Sequence, residues 1–157
     1  MIPGMMRFDK LHVVIQAVMG WKDAHLHLFR VAEDDVGISD PDFDLEAIEE
    51  QTVKVEDVVV GQRFRYAYDF GGRWDHEILV ESIEPVLLVL KKAVCLDGER
   101  ACPPEDVGGI RGFEEFLLVL SDPDHEEHQH YLSWSGGHFD ATLFSAAAAN
   151  AALQRIF

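Results

Sequence analysis

Arg63-Phe64-Arg65-Tyr66-Ala67-Tyr68-Asp69-Phe70, then Gly71-Gly72, then Arg73-Trp74-Asp75-His76-Glu77-Ile78-Leu79-Val80, is the stretch from which the fold is read. In its first half Phe64, Tyr66, Tyr68 and Phe70 alternate with Arg63, Arg65, Ala67 and Asp69. In its second half Trp74, His76, Ile78 and Val80 alternate with Asp75, Glu77, Leu79 and Glu81. A period of two sends one set to each face of a strand. Gly-Gly takes positive φ without a Cβ clash, so the pair predicts a β-hairpin with one aromatic face.

Working outward, Leu11, Val14, Ile15, Val18 and Met19 follow Asp9 at helical spacing, with Gly20 as a stop. His25 to Val31 alternates like a strand, with His25, His27 and Phe29 on one face. Glu33 to Asp44 reads as a loop touching a sheet edge near Ile38, because its many Asp favour turns. Val53 and Val55 suggest a short strand, and Glu56 to Val60 a helical turn. Val86 to Val94 suggests a buried strand entered at Pro85. Residues 97–112 hold Pro103-Pro104, Gly108-Gly109 and Gly112, which predicts a long ordered loop. Phe113, Phe116, Leu117 and Leu120 then form a helix, residues 124–134 a further one, and Asp140 caps a last helix through Leu153. The expected fold class is α+β: a largely antiparallel sheet with a central aromatic hairpin, packed against helices from both ends of the chain.

The 157 residues suggest one domain, and 48% apolar residues allow a real core. No window offers the roughly 18 uninterrupted apolar residues of a spanning helix, and no signal-peptide order opens the chain. A cytoplasmic, non-membrane location is therefore expected, with Cys95 and Cys102 reduced. There are 13 Lys+Arg against 29 Asp+Glu, for a net charge of −16. Residues 33 to 57 carry −10 of this, from eleven acids and one base, Lys54. Binding to a phosphate backbone is disfavoured, although Arg63, Arg65 and Arg73 form a local basic strip.

Several constellations invite chemistry. Asp40-x-Asp42-x-Asp44 has alternating carboxylates, but an EF-hand needs Gly and Glu where Leu45 and Gln51 stand, and a turn with self-capping Asp is the better account. His125-Glu126-Glu127-His128-x-His130 lacks the i, i+4 His pair of a zinc protease, and a polar helix face is the plainer account. Cys95 and Cys102 with His125 and His128 would complete a tetrahedral zinc site, against a core role for Cys95 and a loop-anchor role for Cys102. A Cys102 nucleophile with His76 and Asp106 matches residue types only. A ligand or partner surface draws on Trp21, His25, Asp69, Trp74, His76, Glu105 and Asp106, since aromatic walls with a few polar groups serve small ligands and proteins alike. Hydrogen-bonded structural pairs, and carboxylates holding loop amides, are the competing explanation for the same residues.

Leu11-His12-x-x-Ile15-Gln16-x-x-Met19-Gly20-Trp21, His25-Leu26-His27-x-Phe29, Tyr68-Asp69-Phe70-Gly71-x-x-Trp74-x-His76 and Cys102-Pro103-Pro104-Glu105-Asp106-x-Gly108-Gly109 together closely resemble the plasmid pRiA4b open-reading-frame-3-like family. Its members are also labelled passenger, TnpR-like proteins of an insertion element. The resemblance runs from about His12 to Asn150, including His125-Glu126-Glu127-His128, Trp134 and Phe139-Asp140, and implies a single α+β domain without an established activity. Two departures stand out. Family members usually begin with an additional strand and a Trp-Arg-Arg-like segment before the first helix, and this sequence starts about where that segment would end. Either the native chain starts further upstream or a sheet edge is bare, and the second case leads to the expectation of a homo-oligomer formed through that edge. Gly72 stands where the family commonly has Asp.

The first functional reading is a non-enzymatic binding or interaction module associated with plasmids or mobile elements. It would present the aromatic hairpin and the 102–109 loop to an unknown protein or small ligand. A metal-assisted hydrolase or nuclease using His125 and His128 is the alternative. A DNA-interacting accessory of transposition or recombination is the third.

Overall fold

A computed structural model describes residues 1–43, 45–84 and 92–156. Helix α1 (Phe8–Met19) is followed by strands β1 (His27–Val31), β2 (Asp34–Gly37), β3 (Ile48–Glu49), β4 (Arg63–Tyr68) and β5 (Trp74–Leu79). Helices α2 (Gly109–Ser121), α3 (His128–Trp134) and α4 (Ala146–Ile156) complete the α+β fold. The sheet order is β3-β2-β1-β4-β5, antiparallel throughout except for the parallel β2–β3 pair.

Alternation in β4 buries Phe64, Tyr66 and Tyr68, whose side chains meet Phe29 of β1, Val36 of β2 and the apolar face of α1. Phe8 and Phe29 meet edge to face at 4.9 Å, and both are fully buried. Each such ring stabilises the fold by about 2–3 kcal/mol through removal from water. Helix α4 covers the other side of α1 with Ala149 and Leu153, so α1 lies between sheet and helix. A second aromatic cluster, Phe113, Phe116, Tyr131, Trp134 and Phe139, joins α2 to α3 and reaches the sheet through Trp74.

Several boundaries differ from the sequence expectation. Asp34–Gly37, read as loop, is a strand. Pairing with β1 buries Val36, while Asp35 makes a two-pronged ion pair with Arg30 across the strands. Val53 and Val55 lie outside any strand, and the single turn expected over Glu56–Val60 spans Val55–Asp57. Helix α2 begins at Gly109, inside the expected loop, and includes Gly112, where a Cβ would stand 2.0 Å from the Val107 carbonyl oxygen. Asp140 caps a local turn at Thr142, whereas the last helix is capped by Ser145, whose Oγ accepts the Ala148 N–H at 3.1 Å. The strand expected over 86–94 falls largely on residues 85–91, outside the described residues.

The hairpin exists, but Gly71-Gly72 does not turn it by positive φ. Asp69 (φ 52) and Arg73 (φ 57) take the left-handed conformation, and the Arg73 N–H bonds the Asp69 carbonyl at 2.7 Å. The role of Gly72 is proximity. A Cβ on it would lie 2.3 Å from Asp69 Oδ2, and one on Gly109 would lie 2.4 Å from the Gly72 carbonyl oxygen. The hairpin tip is thus clasped backbone to backbone against the start of α2.

Candidate ligand-binding surface

Helix α1 ends where Gly20 turns left-handed and the Trp21 N–H returns to the Gln16 carbonyl at 2.9 Å, which directs Trp21 onto the sheet. Its indole stacks on Tyr68 with centroids 4.8 Å apart and meets His76 edge-on at 5.5 Å, with Trp74 at 6.0 Å. The Trp21 Nε1–H donates to the Pro103 carbonyl at 2.9 Å, drawing the 102–109 loop over this aromatic floor. His76 Nδ1–H donates to the Tyr66 carbonyl at 3.2 Å, which accounts for that imidazole as a strand-fixing group.

The loop brings its two acids with it. Glu105 accepts the Lys22 N–H on Oε2 at 2.7 Å and the Tyr68 hydroxyl on Oε1 at 3.0 Å. Tyr68 in turn accepts the Ala24 N–H at 2.9 Å, and burial pushes its phenol up to about 12, so it remains a donor. His25 Nε2 lies 2.7 Å from Asp106 Oδ1 and 3.9 Å from Glu105 Oε1, while its Nδ1 lies 3.9 Å from Asp69 Oδ1. The hydrogen bond to Asp106, aided by the charges of Asp69, Asp106 and Glu105, holds the His25 imidazole above its ordinary midpoint. One imidazole therefore faces three carboxylates at a partly exposed surface. Trp21, His25, Asp69, Trp74, His76, Glu105 and Asp106, drawn from three separate segments, all lie around Tyr68.

Sequence reasoning missed a second polar cluster directly beneath. The Asp23 N–H donates to Gln16 Oε1 at 2.9 Å, which fixes the amide so that Gln16 Nε2 donates to the Tyr66 hydroxyl at 3.0 Å. Tyr66 must then donate its proton to His12 Nδ1 at 2.8 Å, leaving His12 Nε2–H to donate to Asp23 Oδ1 at 2.9 Å. Four residues close a ring of hydrogen bonds in which each donor has an acceptor. Burial, and then the charge of His27, lower the His12 midpoint, in keeping with a neutral ring. His27 stacks on His12 and bonds the buried Glu50 carboxylate at 2.7 Å. The available signal was His12 and Gln16, one turn apart on an otherwise apolar helix face.

The proposed zinc ligands are not gathered. Cys95 directs its thiol to the Asp97 carbonyl at 3.6 Å, and its backbone is held by Asn150. The Cys102 thiol points to the Pro103 carbonyl at 3.4 Å and is pushed up to about 12 by burial and then by Glu105, the opposite of a ready thiolate. His125 Nδ1 accepts the Glu127 N–H at 3.1 Å, and His128 Nδ1–H donates to the Val119 carbonyl at 3.1 Å, so both serve the α2–α3 connection. Among the described residues, the groups of three or more metal-capable side chains are His12, Asp23, His27 and His25, Glu105, Asp106. Asp40 Oδ1 accepts the Asp42 N–H at 2.9 Å in a self-capped turn, and Asp44 lies outside the described residues. Gly72 stands where the family resemblance gives Asp, and the tight fit against Asp69 means a second carboxylate there requires a different Asp69 rotamer.

No helix among the described residues is long and apolar enough to cross a membrane. A curated relative, the uncharacterised protein y4hQ of Sinorhizobium fredii, is 36% identical over 152 residues, covering 95% of this chain and 76% of the relative. The crystal structure of a protein of unknown function, MM3350, from Methanosarcina mazei Go1 is similar with a TM-score of 0.82 and 35% identity, covering 92% of this chain and 84% of that one. The sequence profile of the plasmid pRiA4b ORF-3-like proteins matches residues 1–148, and with such relatives at either hand this chain belongs to that family.

Proposed function

We propose that the protein is a non-enzymatic binding module whose ligand surface is the recess around His25. The observation that carries this reading is the convergence of Asp69, Glu105 and Asp106 on a single imidazole that meets the Tyr68 ring edge-on, with Trp21 stacked on that same ring. The partly exposed Trp74 ring provides contact area, Trp21 and Tyr68 being buried, and excess carboxylate favours a ligand or partner that presents positive charge. The polar groups lower down are committed to one another, which suits a rigid binding face better than turnover. A hydrolase built on His125 and His128 gains no support from their placement, since each imidazole serves local backbone. Nucleic acid as partner is opposed by the net charge of −16, and the sheet-face guanidinium groups of Arg30 and Arg63 already pair with Asp35 and Glu77.

The test is a fragment screen by NMR on the full chain, following the indole N–H signals of its three tryptophans, with organic amines and short basic peptides as probes. Probes that shift Trp21 and Trp74 together while leaving Trp134 in place support the reading. Hits confined to Trp134, or none among the cationic probes, overturn it.

A further inference from the structure

We propose that His25, Glu105 and Asp106 form a divalent transition-metal site, with His25 Nε2, Glu105 Oε1 and Asp106 Oδ1 as its ligand atoms. The inference rests on the binding-module reading and names the ion that the recess takes. Bonds of about 2.0–2.2 Å at ordinary coordination angles place neighbouring ligand atoms about 3.0–3.5 Å apart. The separations from His25 Nε2 are 2.7 Å to Asp106 and 3.9 Å to Glu105, and the three ligand atoms all lie within 4.8 Å of one another, so side-chain shifts of about 1 Å or less bring all three onto one ion.

The surroundings match what a metal-bound imidazole and carboxylate require. A ligating histidine turns its second ring nitrogen toward an acceptor, and Asp69 Oδ1 lies 3.9 Å from His25 Nδ1, within reach of a small rotation. Glu105 is oriented before any ion arrives by the Lys22 N–H and the Tyr68 hydroxyl. Asp106 is 65% exposed, so the site opens to solvent and leaves coordination positions for water or a ligand. One nitrogen and two carboxylate oxygens suit manganese, iron, cobalt, nickel or zinc better than calcium or magnesium.

The other cluster does not compete. The His12 and His27 rings are stacked 6° from parallel, so their in-plane lone pairs run side by side instead of meeting at a point. Both His12 nitrogens are already engaged, by Tyr66 and Asp23.

Binding exchanges a proton for an ion. The metal takes the Nε2 lone pair, and the proton shared with Asp106 leaves to buffer. Calorimetric titration of chelator-treated full-length protein with zinc chloride, in two buffers of different ionisation enthalpy, reads this directly. One ion per chain is expected. His25→Gln and Glu105→Gln should each weaken binding at least about tenfold, whereas His128→Gln should leave it unchanged. Manganese chloride added to the unsubstituted protein should broaden the His25 and Trp21 resonances before those of Trp134, a readout independent of whether any variant folds. Stoichiometry below a tenth of an ion, or binding retained in His25→Gln and lost in His128→Gln, overturns the site. Amine probes that still shift Trp21 and Trp74 in that case leave the binding surface standing without its metal.

Discussion

The imidazole rings of His12 and His27 lie 6° from parallel with centroids 3.5 Å apart, in the interior between α1 and β1. Two cations at that distance repel, and only His27 has a buried carboxylate, Glu50, at its edge. His12 is the ring that stays neutral, and its tautomer is set by Tyr66. The opposite case is His25, whose midpoint is raised, chiefly by its hydrogen bond to Asp106.

The two imidazoles should therefore titrate on opposite sides of the ordinary midpoint of about 6.5. The unfolded chain binds a proton at that pH that folded His12 refuses, so the stability owed to His12 is lost as pH falls below about 6.5 toward its folded midpoint. His25 contributes below about 6.5, and its contribution fades as pH rises through its raised folded midpoint. Proton NMR of the ring C–H signals in metal-free protein reads both. A His12 midpoint above that of His25 would contradict the closed hydrogen-bond ring.

Tyr66→Phe removes the hydroxyl that joins Gln16 to His12, leaving a buried amide N–H and a buried ring nitrogen without partners. A loss of about 2 kcal/mol is expected from chemical denaturation. Adding Gln16→Leu should then cost less than it does in the unsubstituted protein, because the orphaned donor goes with it. Strictly additive losses would mean that the two side chains are not coupled.

Gly109→Ala tests the clasp at the hairpin tip. The residue has φ 69, and a new Cβ would meet the Gly72 carbonyl oxygen at 2.4 Å, so conformational strain and overlap combine to about 3 kcal/mol. Gly20→Ala has φ 77 but nothing within 4 Å, and should cost only about 1 kcal/mol. Equal shifts of the urea midpoint for the two variants would show that the tip does not rest on α2.

Cys102 should be a poor nucleophile in the folded protein, since burial pushes its thiol up to about 12. Mass spectrometry after brief maleimide treatment at neutral pH should find Cys102 largely unlabelled until urea is added. Rapid labelling of the native chain would mean that the 102–109 loop opens readily.

Ser145→Ala should cost about 1 kcal/mol by removing the acceptor for the Ala148 N–H at the start of α4. Circular dichroism during thermal melting would detect it. An unchanged melting temperature would place the effective cap elsewhere.

What the sequence made legible follows from how local each signal is. Alternation in Phe64, Tyr66 and Tyr68 depends only on strand period and puts them on one face as expected, but that face is buried in the core, so these rings are not presented to a partner as the first functional reading had it. The strand Asp34–Gly37 was hidden because its solvent face is acidic and its one buried side chain is Val36; cross-strand pairing, above all Arg30 with Asp35, overrides weak propensity there. Gly72 could be read as a turn former from its neighbours, but its actual constraint is a helix start far along the chain. The same holds for the polar residues. Trp21, His25, Asp69, Glu105 and Asp106 were conspicuous as types, whereas the partnership of His12 with Tyr66 and Asp23 depends on a tertiary arrangement that no spacing encodes. Cys95, Cys102, His125 and His128 were matched by donor type alone, and each satisfies a nearby backbone group instead.

The contact of Gly72 with Gly109 also sets an order of events for a nascent chain. Strands β4 and β5 leave the ribosome well before Glu105, Asp106 and Gly109, so the sheet can pair while its tip has nothing to rest on. The acidic recess comes into being only when the later segment swings back over Tyr68, which ties its appearance to completion of the C-terminal half. A translation product cut short ahead of residue 105 would lack Glu105 and Asp106, and with them two of the three carboxylates that face His25.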